Sequence, residues 1–132
     1  MSNTFKFKIL TPNRIVANED VTKVFTKSKD GEIEFLSNHM PIIVSIDNCV
    51  TTVIDTAGNE KKFFTSKGVL NLKNKELNIC CDAAESSNEI DFERAEKSKE
   101  RAEKRLSDKD PNLDIERALR SLKRANERLK LK

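Results

Sequence analysis

The sequence predicts an all-β sandwich followed by a C-terminal antiparallel α-helical hairpin. Three observations predict it. Up to residue 88, short runs alternate apolar and polar residues and are separated by turn residues, the period of half-buried strands. All three glycines and six of the seven phenylalanines fall in that part, whereas residues 90–132 contain no Gly and one Phe. Those last 43 residues also contain one helix written twice. The boundary divides the chain into residues 1–88, a β-sandwich, and 89–132, a helical hairpin.

In chain order, Phe5, Phe7 and Ile9 alternate with Lys6 and Lys8, which marks a strand with one buried face. Val21 and Val24 lie in a second extended stretch closed by Asp30-Gly31, and Ile33 and Phe35 then alternate with Glu32 and Glu34. Pro41 precedes the β-branched run Ile42-Ile43-Val44, which ends at Asp47-Asn48. Residues 50–54 form a further strand. Asp55-Thr56-Ala57-Gly58-Asn59 turns the chain into Lys62-Phe63-Phe64. Residues 69–72 and 77–81 flank Asn74-Lys75, a tight turn. Short strands at this spacing imply an antiparallel sandwich or barrel.

Residues 90–106 and 113–129 match at nine of 17 positions, among them Asp91/Asp114, Arg94/Arg117, Ala95/Ala118, Arg101/Arg124, Ala102/Ala125 and Arg105/Arg128. Both copies are rich in helix formers. Asp91 and Asp114 can cap their helices or sit in the positively polarised first turn. Ser107-Asp108-Lys109-Asp110-Pro111-Asn112 breaks the helix, with Asp110 or Asn112 available to cap the next. So short a connection makes the helices antiparallel neighbours. Ile115, Ala118, Leu122, Ala125 and Leu129 form a narrow apolar stripe, with Phe92, Ala95, Ala102 and Leu106 a weaker one opposite. Alanine buries little area, so the seam is worth only a few kcal/mol at about 25 cal/mol per Å² and the hairpin can open.

Composition excludes several classes. The net charge of +3 joins residues 1–89 of net −1 to residues 90–132 of net +4, which does not suit a uniformly basic nucleic-acid binder. No apolar run is long enough for a membrane helix. The N-terminus lacks a signal or transit pattern. Cys49, Cys80 and Cys81 are odd in number and read as buried, inert thiols in a reducing cytosol, and His39 alone cannot complete a metal site. Asp55-Thr56-Ala57-Gly58 has an aspartyl-protease look, but a hairpin turn explains it fully. No nucleophile–base pair or phosphate loop is evident, so no catalytic residue is assigned.

Taken together, the chain resembles the epsilon subunit of bacterial F-type ATP synthase. Gly31-Glu32-Ile33-Glu34-Phe35-Leu36-Ser37-Asn38-His39-Met40-Pro41-Ile42-Ile43 is similar to that family's Gly-Glu-Leu-Gly-Ile-x-Pro-Gly-His-Ala-Pro-Leu-Leu segment. Phe64-Thr65-Ser66-Lys67-Gly68-Val69-Leu70 resembles its Ser-Gly-Gly strand entry, and Ile90-Asp91-Phe92-Glu93-Arg94-Ala95 its Ile/Leu-Asp-x-x-Arg-Ala helix start. Glu34, Ser37-Asn38 and Lys67 depart from the pattern, so those turns must be met differently here.

The resemblance implies about ten strands and a peripheral, non-catalytic place in the central stalk at the cytoplasmic face of the bacterial cell membrane. The implied partners are the gamma subunit and the c-subunit ring, with the alpha and beta subunits contacted when the hairpin extends to inhibit ATP hydrolysis. Glu32 aligns with a position near the ring and His39 with one facing gamma. No cofactor is required, but a regulatory ATP is implied for the residues matching Glu85, Ile90, Asp91, Arg94, Ala95, Arg101, Arg124 and Arg128. Guanidiniums near a helix start can hold phosphate. The alternative from the residues alone is a binding module whose basic hairpin grips nucleic acid or an acidic partner. Interleaved glutamates argue instead for an ion-paired surface that binds no nucleic acid.

Overall fold

A computed structural model describes residues 3–108 and 114–132. Among them are strands β1 (Phe5–Leu10), β2 (Ile15–Ser28), β3 (Gly31–Phe35), β4 (Ile42–Ile46), β5 (Cys49–Asp55), β6 (Glu60–Thr65), β7 (Gly68–Lys73), β8 (Glu76–Cys81) and β9 (Ala84–Ser86). Helices α1 (Phe92–Ser107) and α2 (Ile115–Leu129) follow. The described residues thus hold nine strands where about ten were expected.

The strands form one hydrogen-bonded sheet folded on itself into two layers. The first runs β4-β7-β8-β1 and closes on the N-terminal half of β2; the second runs from β3 through the C-terminal half of β2 to β5, β6 and β9. All pairings are antiparallel except β1 with β8. Phe5, Phe7 and Ile9 point inward as their alternation requires, and Phe7 meets Phe63 of the other layer with ring centroids 6.0 Å apart.

Val21 and Val24 are both fully buried although they stand three positions apart, which strict alternation forbids. A bulge resolves the conflict: pairing with β5 shifts between Val21 and Lys23, and the Thr22 hydroxyl donates to the Ile54 carbonyl oxygen at 3.2 Å. Inside the second layer, Thr26, Thr51 and Thr65 form a buried hydroxyl ladder with 2.9 Å steps, and Cys49 Sγ lies 3.3 Å from Thr26 Oγ1. Each hydroxyl finds a partner, as burial demands.

The turns follow their residues. Asn74 and Lys75 both adopt positive φ, 53° and 59°, the two-residue hairpin form whose twist matches the strands. Asp55 Oδ1 accepts from the Ala57 and Asn59 amides at 2.9 and 2.8 Å, and Gly58 supplies φ 85°. Ser37-Asn38, lacking the family's glycine, forms a turn closed by the His39 N–H donating to the Leu36 oxygen at 3.1 Å. At Lys67 the amide donates to Asn48 Oδ1 at 2.9 Å.

Several expectations are corrected. Cys49 and Cys81 are buried, but Cys80 is exposed, because neighbouring residues of β8 face opposite ways. Helix α1 continues through Ser107, so the break does not begin there. Residues 109–113, with the capping roles assigned to Asp110 and Asn112 and the break at Pro111, lie outside the described residues. Asp91 and Asp114 are the N-caps, each side chain accepting from the amide three residues on at 3.0 Å. Ala95, Ala102, Ala118 and Ala125 form the buried seam between helices, whereas Ile115, placed on that stripe, is 59% exposed.

Gly68 opens β7 where that strand crosses β8 so closely that a Cβ would overlap the Cys80 carbonyl oxygen. The obstacle is backbone and cannot rotate away. Gly68→Ala should therefore lower the unfolding free energy in urea by about 1–3 kcal/mol. An unchanged denaturation midpoint would show that the crossing relaxes freely.

Candidate functional site

The two outer faces of the sandwich differ. On the second layer, β6 turns Phe63 inward and Phe64 outward, yet Phe64 is fully buried because α2 lies over it. The Arg128 guanidinium stacks 4.3 Å from the Phe64 ring centroid. Its Nε and Nη2 both reach Glu85 Oε1 of β9 at 2.9 Å. On the other flank of α2, the Lys123 ammonium bonds Asp47 Oδ2 in the β4–β5 turn, while Asp47 Oδ1 accepts from the Asn48 amide at 2.8 Å. Helix α2 packs against β5, and α1 packs on α2.

The link between sandwich and hairpin is also fixed by charge. Arg14, from the β1–β2 connection, donates to Glu89 Oε2 at 2.7 Å, and Glu89 Oε1 accepts from the Ser86 amide and hydroxyl. Arg14 and the Ser86 amide hold the Glu89 carboxyl below its ordinary range. For Asp47, burial pushes the carboxyl up, but Lys123 and the Asn48 amide together outweigh it and bring it down. Asp55 is lowered chiefly by the Asn59 amide.

The residues assigned to nucleotide divide into groups. Asp91, Arg94 and Arg101 line a groove of about 650 Å³ along α1, with Arg101 Nη2 donating to Ser98 Oγ at 3.2 Å. Glu85 and Arg128 are already bonded to each other on the sandwich side. Arg124 Nε is buried without a hydrogen-bond partner, and Ile90 and Ala95 are covered, at 7% and 4% exposure. In the same groove Lys97 pairs with Glu93, and on α2 Arg120 pairs with Glu116, each one turn apart, as on an ion-paired surface. Among the described residues no three His, Cys, Asp or Glu converge as metal ligands, and no helix is long and apolar enough to cross a membrane.

Among the described residues, no helix covers the outer face of the first layer. Val69 of β7 pairs with Ser45 and Cys80, and Ile43 of β4 pairs with Asn71. Ile43 is 72% exposed, and Val69 and Cys80 are exposed beside it. Asn78 Oδ1, on β8 in this face, is buried without a partner. Met40 and Leu36 extend exposed apolar surface into the β3–β4 connection. There His39 Nδ1 donates to the Met40 oxygen at 2.7 Å, and its ring lies 4.9 Å from Phe35. Glu32 projects from β3 with a highly exposed side chain, 4.0 Å from Lys27. Sequence reading singled out His39 and Glu32. It missed Phe64, Asp47 and Lys123, because no local pattern reveals which helix face meets the sandwich.

Fold and site define a β-sandwich carrying its own docked helical arm. Two family models match it end to end: "ATP synthase, Delta/Epsilon chain, beta-sandwich domain" over residues 4–87, and "ATP synthase, Delta/Epsilon chain, long alpha-helix domain" over 88–132. The ATP synthase epsilon chains of Clostridium kluyveri and Clostridium novyi are each 44% identical over 110 residues, spanning 83% of this chain and 83% and 84% of theirs. A chain of the Euglena gracilis mitochondrial ATP synthase (OSCP/F1/c-ring) shares the fold with a TM-score of 0.83 at 17% identity, covering 96% of this chain and 80% of that one. A chain of the Tetrahymena thermophila mitochondrial central stalk and c-ring gives 0.57 at 12% identity, covering 95% and 93%. The chain belongs to the family of bacterial F-type ATP synthase epsilon subunits.

A lowered carboxyl stabilises the fold above its ordinary value and loses that contribution as pH falls through its folded value. Asp47 and Asp55 start from 3.8 and Glu89 from 4.5. Thermal stability should thus be level from neutrality to about pH 5 and decline below the ordinary values as Lys123 and Arg14 lose their partners. In Asp47→Asn the acid decline should be shallower, read by circular dichroism melts; an identical slope would remove Asp47 from the account.

Proposed function

We propose that this chain serves in the central stalk of a rotary ATP synthase as a non-catalytic subunit, joining gamma to the c-subunit ring and restraining ATP hydrolysis through its hairpin. One observation carries the reading: of the two outer faces, the hairpin covers one and leaves the other open, with Ile43 and Val69 exposed among polar neighbours such as Ser45 and Asn71. Ile43 and Val69 offer gamma exposed apolar side chains, with His39 and Met40 at the edge. Glu32 stands on β3 as the carboxylate directed to the ring.

In this reading the chain works from the cytoplasmic face of the cell membrane as a peripheral subunit, taking part in ion-coupled ATP synthesis. The basic arm inhibits by leaving the sandwich and meeting acidic segments of the alpha and beta subunits. The net +4 of residues 90–132 and the small alanine seam support this mobility. Regulatory ATP, with no other cofactor needed, is assigned first to the α1 groove. There Arg94 stands in the first turn of α1 and Arg101 about two turns further along the same groove. Arg124 and Arg128 join only if Glu85 yields Arg128.

Copurification with gamma tests the core of the proposal. The full chain and one ending at Glu89 should both bind gamma, whereas ATPase activity of the assembled head should be several-fold higher with the shorter chain. Absence of gamma binding overturns the assignment, and equal ATPase rates overturn the inhibitory role. In calorimetry, millimolar MgATP should raise the melting temperature of the full chain and leave the shorter one unmoved. No heat and no shift would remove ATP from the account.

A further inference from the structure

Helix α2 lies between α1 and the sandwich, and its two buried faces are built from different chemistry. At about 100° per residue, Ala118, Leu122, Ala125 and Leu129 form one face, turned to α1. The opposite face carries Arg124 and Glu127, with Lys123 and Arg128 on its flanks about 140° apart. This charged face is the one pressed on the second layer. Glu127 is 8% exposed with its carboxylate bonded to Lys130 at 2.8 Å, and Arg124 Nε is buried. The named contacts from α2 to the sandwich are ionic or cation–π: Arg128 with Glu85 and Phe64, and Lys123 with Asp47.

We propose that Arg128, clamped between the Glu85 carboxylate and the Phe64 ring and seconded by Lys123 on Asp47, is an ionic latch that keeps the hairpin docked with no ligand bound. Glu85 already occupies the guanidinium edge that an anionic ligand would take. The geometry uses what only arginine offers: a flat face for the ring and two N–H groups on one edge for a single carboxylate oxygen. Lysine can make one of those contacts, not both. The side chains of Arg128 and Glu85 remain 24% and 26% exposed, so solvent ions reach the pair and screen it. An apolar docking face would not loosen in sodium chloride; this one should. Phe64 is covered only while the latch holds, and its release uncovers an aromatic ring beside a carboxylate.

The inference rests on the regulatory reading for its use in the cell, but the latch is tested without gamma or nucleotide, so the two can fail separately. Amide hydrogen exchange of the full nucleotide-free chain is followed by mass spectrometry in segments 60–66, 115–130 and 68–80. Raising sodium chloride from about 0.05 to about 0.5 M should speed exchange in the first two segments and leave the third unchanged. At low salt, Glu85→Gln and Arg128→Lys should each give an increase of about fivefold or more in those two segments, and Glu103→Gln on exposed α1 none. Exchange indifferent to both salt and Glu85→Gln would overturn the latch. So would an equal rise in segment 68–80, which reports loosening of the whole sandwich.

Discussion

A single strand, β2, makes both layers possible, and the rest of the molecule is arranged around it. Its 14 residues pair with β1 along one half and with β3 and β5 along the other. The bulge at Thr22 lets Val21 and Val24 both face the core while the strand passes from one layer to the other. One continuous core then forms between the layers. Two outer faces remain, and they are not equivalent: the first layer presents Ile43 and Val69, the second Phe64 and Glu85. The hairpin takes the second.

That choice explains the hairpin's composition. A helix covering a sandwich ordinarily buries an apolar stripe, and α2 has one, but it faces α1. Toward the sandwich it offers charge, answered by Glu85, Asp47 and the π face of Phe64. Such contacts are individually modest and are weakened by salt. The alanine seam brings the helices close while burying little area. Neither interface is strong, which is what the proposed movement of the arm requires. The hinge side is held separately: Arg14 and Ser86 fix Glu89 to the sandwich through contacts in which α2 takes no part.

Most of this was legible in the sequence where local chemistry decides the outcome. Alternation placed Phe5, Phe7 and Ile9, turn chemistry placed Asp55–Gly58 and Asn74-Lys75, and the duplicated Asp-x-x-Arg pattern put Asp91 and Asp114 at the helix starts, as caps or in the first turn. Strand β9 was missed because three residues with one buried alanine carry no periodicity. Cys80 was expected to be buried on residue type alone, whereas its place opposite Cys81 in β8 turns it outward. The repeat is the most instructive case. Arg105 and Arg128 are equivalent in sequence, yet Arg105 is exposed and Arg128 forms the clamp, since only α2 lies against the sandwich. Tertiary placement, invisible to any local pattern, assigned those roles. It also split the expected nucleotide residues between the α1 groove and the sandwich side.

The division of the two faces is the central claim, and a hydrogen-exchange footprint of the chain bound to gamma tests it most directly. The account predicts that gamma adds protection to segments of β4, β7 and β8, with β6, β9 and α2 unchanged. New protection on β6 and β9, with none on β4 and β7, would contradict it.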